Sequence, residues 1–153
     1  GFDGDFFAHM EEIDFCWRAQ LAGYRIRVEP RSTVFHVGGG TLPNNSPQKI
    51  YLNFRNNLCM LFKNLSPGTF WPVLFSRMVL DGMAALVFLV QGHPDFFKKV
   101  FRAHIDFHRQ RKSLHEKRRA IQRHRVARPH GILRNSIILL HAFGYRTFDK
   151  VMR

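Results

Sequence analysis

The residues best equipped for chemistry lie near the start of the chain, where Glu11, Glu12 and Asp14 put three carboxylates into four positions. Neighbouring carboxylates raise one another's pKa, which makes one of them a competent general base near neutral pH. The same acids equally suit the first turn of a helix, where the dipole favours negative charge, with Arg18 set to pair with Asp14 four residues on. The pattern alone leaves both readings open. Trp17, inside the same run, offers either a face for stacking on a sugar or a wall of the core. His36 ends a short apolar run just before Gly38, Gly39 and Gly40, where the backbone can come close to a ligand. Standing alone, it reads as a packed or capping residue. His104, His108 and His115 are spaced by four and seven with no carboxylate or cysteine in register, so they read as pH-dependent surface charge and not as a metal site.

These side chains need elements to hold them. Between Phe2 and Gly23, the residues Phe6, Phe7, Met10, Ile13, Phe15, Trp17 and Leu21 predict a loop entering an amphipathic helix that Gly23 caps. Tyr24 to Val28 alternates apolar and basic residues as a short strand does, and a second apolar run covers Thr33 to Val37. Pro43, Asn44, Asn45, Ser46 and Pro47 mark a loop. Gln48 to Asn64 has helical apolar spacing and is stopped by Ser66-Pro67-Gly68. Phe70 to Val90 is the most apolar stretch and is long enough to cross a bilayer. Arg77 and Asp81 lie within it, however, and each charge near a helix centre costs roughly 2.5 to 3.5 kcal/mol on insertion. The uncharged run Gly82 to Gly92 is too short to span, so the expectation is a helix lying in the interface or entering it shallowly. Residues 93 to 128 carry twelve Lys and Arg against three acids, with Phe96, Phe97, Val100, Phe101, Ile105 and Phe107 at helical spacing, and predict a basic amphipathic helix.

The 153 residues include 24 Lys and Arg against 11 Asp and Glu, a formal charge of +13, and 45% are hydrophobic. That apolar content excludes a disordered or fibrous chain, and the length supports the core of one domain. The charge calls for an anionic partner, either nucleic acid or membrane headgroups. Cys16 and Cys59 are too few and too far apart for a disulfide framework, which favours a reducing compartment. No secretory pattern follows Gly1. The Gly-Phe-Asp opening reads like the middle of a loop, so the chain is expected to be the C-terminal piece of something longer.

Four stretches in order resemble the C-terminal half of a family 2 glycosyltransferase with a GT-A fold: Gly1-Phe2-Asp3-Gly4-Asp5-Phe6-Phe7, Glu11-Glu12-Ile13-Asp14-Phe15-Cys16-Trp17-Arg18, Gly23-Tyr24-Arg25-Ile26, and His36-Val37-Gly38-Gly39-Gly40. Tyr51-Leu52-Asn53-Phe54-Arg55-Asn56-Asn57 is similar to the helix that follows in many bacterial members. The resemblance implies an α/β fragment. Residues 1–65 would be the C-terminal part of a Rossmann-like catalytic domain, residues 66–128 basic amphipathic membrane-associated helices, and residues 129–153 a C-terminal helix and tail.

The same resemblance implies inverting transfer of a sugar from a nucleotide-sugar donor to a glycan acceptor, lipid-linked in this setting. Glu12 takes the place of the general base, as Glu where Asp is usual, with Glu11 beside it as the alternative. His36 takes the place of a histidine that helps hold Mn²⁺ or Mg²⁺ on the donor diphosphate, where the cation neutralises the leaving group. Asp3 belongs to an Asp-Gly-Asp that only mimics the family's metal motif. It would border the acceptor site together with Trp17, while Asp14 and Arg18 order the acidic cluster. The donor-binding half would lie upstream, leaving these residues inactive alone. The implied location is the cytoplasmic face of a bacterial inner membrane, peripheral or shallowly inserted. The rival readings are a nucleic-acid-binding module with residues 93–128 as a basic arm and a helical hairpin over residues 70–128 for protein partners. Nucleic acid is the weaker partner of the two, because Phe is interleaved with the basic residues at helical spacing.

Overall fold

The structure is a computed structural model that describes residues 1–35, 43 and 46–129. Five helices carry it: α1 (Glu11–Leu21), α2 (Pro47–Asn64), α3 (Pro67–Val90), α4 (Pro94–Arg109) and α5 (Arg111–Arg123). The hub is α2, on which α3, α4 and α5 all pack and against which α1 leans. Its buried face supplies Leu58, Cys59, Met60 and Phe62 to a core that also takes Phe6, Phe70, Leu74, Phe107 and Leu114. The Phe62 ring sits edge-on to Phe70 at 5.1 Å and to Phe107 at 5.7 Å, an arrangement that adds to the burial of each ring. A second cluster, Phe54, Ala85, Val100 and Ala103, joins α2 to α3 and α4.

Local chemistry explains where the helices start and stop. Ser46 accepts a hydrogen bond at its side chain from the Lys49 amide and precedes Pro47, whose missing N–H is harmless in a first turn. Proline likewise opens α3 and α4. At the end of α1 the Tyr24 amide donates to the Ala19 carbonyl and the Gly23 amide to that of Gln20, both at 3.0 Å, with Gly23 at φ +88°. This doubled closure needs a left-handed residue after the cap. A Cβ at Gly23 would also meet a Val126 methyl at 3.1 Å, where the chain leaving α5 returns to bond the Leu21 carbonyl. Gly23→Ala is expected to destabilise the fold by about 1–2 kcal/mol, read as a lower thermal midpoint.

The α/β expectation is corrected here. Among the described residues no strand forms, and the architecture is a helical bundle, not part of a GT-A Rossmann-like domain. Tyr24 to Val28 does alternate, but a strand exists only by pairing its backbone with a neighbour, and no described extended segment lies beside it. Its alternation serves another end, since Tyr24 and Ile26 line a shallow groove with Phe15, Ala19 and Ala22 of the α1 region. Val37, the three glycines and residues 130–153 of the expected C-terminal helix and tail lie outside the described residues.

The single basic helix expected over 93–128 is two helices. The chain breaks at Gln110, where φ −85° and ψ 4° leave the helical well, and the break lets both Phe107 and Leu114 reach the core around Phe62.

Candidate functional site

The acidic segment is held by α2. Two of its residues, His9 and Met10, adopt left-handed φ values of 69° and 70° although neither is glycine. Such residues cost on the order of 1 kcal/mol or more each and persist only where the surroundings hold them. The buried Asn56 side chain supplies the restraint, donating to the carbonyls of Ala8 at 2.8 Å and His9 at 2.9 Å, while Arg55 donates to the Asp5 carbonyl at 2.8 Å. The turn delivers Glu11 and Glu12 to the head of α1. Glu12 is exposed, whereas Glu11 is half-buried with its Oε2 atom shut away from solvent and without a hydrogen-bond partner among the described residues.

Asp14 plays the structural part. Fully buried, it accepts from Arg18 Nε at 2.8 Å and from Asn64 Nδ2 at 2.8 Å, and lies 3.0 Å from the ammonium of Lys63. Lys63, buried in the last turn of α2, also bonds Asp3 and sits 4.3 Å from the centre of the Phe6 ring. Lys117 of α5 bonds Asp3 and Asp5 in turn. Burial alone would raise the Asp3 pKa, but hydrogen bonds from Lys117 and Lys63 outweigh it and hold the carboxyl far below its ordinary range. Because the folded value is depressed, the stability that Asp3 contributes is complete above its unfolded pKa near 4 and is lost as pH falls below that. The difference in unfolding free energy between wild type and Asp3→Asn should therefore shrink steadily as urea titrations are moved from about pH 4 downward.

Trp17 packs against the core cluster to which Phe6 belongs. Asp3 and Trp17 are thus engaged by the fold. Glu11 and Glu12 are brought together at one helix end, with neither bonded to a cation among the described residues. His36 lies outside the described residues. With Asp3 and Asp5 already neutralised by lysines, the Asp-Gly-Asp segment does not fit a divalent cation, and among the described residues no group of three or more His, Cys, Asp or Glu is arranged to hold one. Burial pushes the Cys59 thiol up to about 11, so it is a packing residue and not a nucleophile.

Sequence reasoning missed Lys63 and Asn56. The signal lay in the spacing, since Asn56, Cys59 and Lys63 share one face of α2 with apolar neighbours, and polar groups on such a face must have buried partners.

The second feature is the outer surface of α3, the one helix among the described residues that is long and apolar enough to cross a membrane. Its buried stripe runs Phe70, Leu74, Asp81, Ala85, so both charges of the helix belong to the protein side. Asp81 is 1% exposed and pairs with Arg77 at 2.7 Å and with the His104 imidazole at 3.2 Å. Facing outward are Trp71, Phe75, Val79, Met83, Leu86 and Val90. Only 17% of the most apolar 18-residue stretch is buried. A helix in water normally shows the reverse distribution.

No family model, no curated protein and no solved structure matches the chain. Together with the strandless helical bundle, that result overturns the family 2 glycosyltransferase resemblance, and the roles lent to Glu12, Glu11, His36, Asp3 and Trp17 lose that support.

Proposed function

We propose that this chain is a membrane-docking helical module, with α3 immersed side-on in the boundary between headgroups and acyl chains of an anionic bilayer. The observation that carries the reading is the outward face of α3, apolar along its length while Asp81 is turned inward and Arg77 is only 34% exposed. Side-on immersion is favoured over a full crossing because the inner face of α3 stays packed on α4. Crossing would drag Lys98, Lys99, Arg102 and Arg109 of α4 into hydrocarbon, each at a cost of several kcal/mol. At the surface the same residues are attracted to anionic lipid by about 1 kcal/mol apiece. The cytoplasmic face of a bacterial inner membrane, where such lipids gather, fits this charge. Flotation with anionic vesicles, run beside salt-dependent binding to duplex DNA, tests it. Flotation without DNA binding is expected, and DNA binding without flotation would instead support a nucleic-acid module.

One observation favours a second reading, that the module also serves group transfer to a hydroxyl at that surface. The strained His9–Met10 turn and the desolvated Oε2 of Glu11 put two carboxylates at one helix end, with no cation bonded to either among the described residues. The chemistry proposed is transfer of a sugar from a nucleotide-sugar donor to a glycan or lipid-linked acceptor, with Glu12 or Glu11 removing the acceptor proton. It rests on these carboxylates and on no family. A divalent cation, Mn²⁺ or Mg²⁺, on the donor diphosphate is part of the same proposal, with His36 as its protein ligand. In the full-length protein Glu12→Gln should silence transfer of labelled sugar to membrane lipid while nucleotide-sugar binding persists. Unchanged turnover would remove Glu12 from the reading.

A further inference from the structure

The face where α2 and α4 run together carries a polar cleft of about 410 Å³ lined by Gln48, Tyr51, Lys99, Arg102 and Asp106. The lining repeats at helical spacing on both walls, 48 and 51 on α2 against 99, 102 and 106 on α4, so the cleft follows from the packing of two stripes and not from a loop. Asp106 is the organiser. It accepts from the Tyr51 hydroxyl at 3.0 Å, from Arg102 Nε at 2.8 Å and from Arg109 at 3.3 Å, which leaves its charge satisfied. Tyr51 is further fixed between two cations, with the Arg55 guanidinium 5.4 Å and the Lys99 ammonium 5.9 Å from the ring centre.

Two positive groups remain to be answered. The Lys99 ammonium makes no ion pair among the described residues, and Arg102 uses only its Nε on Asp106, keeping its terminal nitrogens. Lys99 and Arg102 stand three residues apart on one face of α4. An ammonium beside a guanidinium, with the amide of Gln48 opposite, matches the several oxygens and double charge of a phosphate monoester.

We infer that this cleft binds a terminal phosphate group, held by Lys99 and Arg102 between α2 and α4. Two sources share that chemistry, a phosphomonoester lipid headgroup and free phosphate. The lipid source rests on the membrane reading above, whereas free phosphate does not. Specificity would come from Asp106 and Tyr51, which hold Arg102 and the cleft wall in place before the ligand arrives.

The test uses the full chain with vesicles containing phosphatidic acid, vesicles matched in surface charge with phosphatidylglycerol, and inorganic phosphate in solution. Wild type should prefer phosphatidic acid by roughly 10-fold, the gain expected for one or two added charge-assisted hydrogen bonds. Lys99→Gln with Arg102→Gln should weaken binding to both anionic vesicle types through the lost surface charge, but weaken binding to phosphatidic acid roughly 10-fold more, so that the preference is erased while the circular dichroism spectrum stays nearly unchanged. Gln48→Glu, which puts a repelling carboxylate opposite while keeping both cations, should do the same. Phosphate-dependent shifts of the Tyr51 resonance without any vesicle binding would support the cleft with a soluble ligand and sink the membrane reading. Equal binding to both vesicle types, with equal losses in the variants and no Tyr51 shift, would overturn the cleft and leave the membrane reading standing.

Discussion

Lys63→Met will destabilise the protein by about 3–5 kcal/mol in urea unfolding, the range seen when one partner of a buried ion pair is removed. Methionine keeps most of the side-chain volume, so the loss reports charge and not a cavity. Lys63 is 1% exposed and Asp14 is 0% exposed. Without the ammonium, Asp14 keeps only Arg18 and Asn64, while Asp3 keeps Lys117 and the Asp5 amide. Whole domains are stable by only about 5–15 kcal/mol, so this one contact decides whether the first ten residues stay on α2. Those residues should become protease-sensitive in the variant. The pairing with Asp14→Asn should be non-additive by about 0.5–3 kcal/mol in a double-mutant cycle. A change below 1 kcal/mol would mean that Phe6 and the Asn56 hydrogen bonds hold the segment by themselves.

The pair Phe75→Asp with Met83→Asp will cut vesicle binding by at least on the order of 100-fold, since a carboxylate in the inserted part of a helix costs roughly 2.5–3.5 kcal/mol. Both side chains are largely exposed, at 68% and 58%, and lie outside the buried stripe. In water, then, the unfolding free energy should move by no more than about 0.5 kcal/mol for each. Binding lost with folding retained is the signature of a lipid-facing surface. High salt should weaken only the part of binding that comes from the basic helices, because screening acts on charge and not on apolar burial.

Helical periodicity made most of the bundle legible, including the Gly23 stop of α1, the end of α2 at Asn64 and the end of α3 at Val90, whereas Ser46 and Pro47, read as loop, cap and open α2, and Pro67 and Gly68, read as a stop, open α3. What it could not supply was orientation. Arg77 and Asp81 counted along the chain argue against a membrane, yet they fall on the same row as Phe70, Leu74 and Ala85, and it is that row which turns inward. Long-range contacts reveal which side is protein: the His104 imidazole, 23 residues from Asp81, and the packing of Ala85 with Phe54, Val100 and Ala103. The strand over 24–28 failed for a related reason, since alternation describes one chain whereas a sheet needs two. The Asp14–Arg18 pair four residues apart was readable in advance, but the Lys63 contacts to Asp3 and Asp14 span most of the first half of the chain and leave no local trace. The same holds for the cleft, whose Tyr51–Asp106 bond joins residues 55 apart.

The most direct test of the membrane claim uses Trp71, 68% exposed on the outer face of α3. The chain has two tryptophans, so Trp17→Phe leaves Trp71 as the sole reporter. With anionic vesicles whose acyl chains carry bromine near the glycerol, its emission should shift to shorter wavelength and be quenched, and more weakly when the bromines sit at the chain ends. Emission unchanged from that in water, with no quenching from either lipid, would contradict insertion of α3.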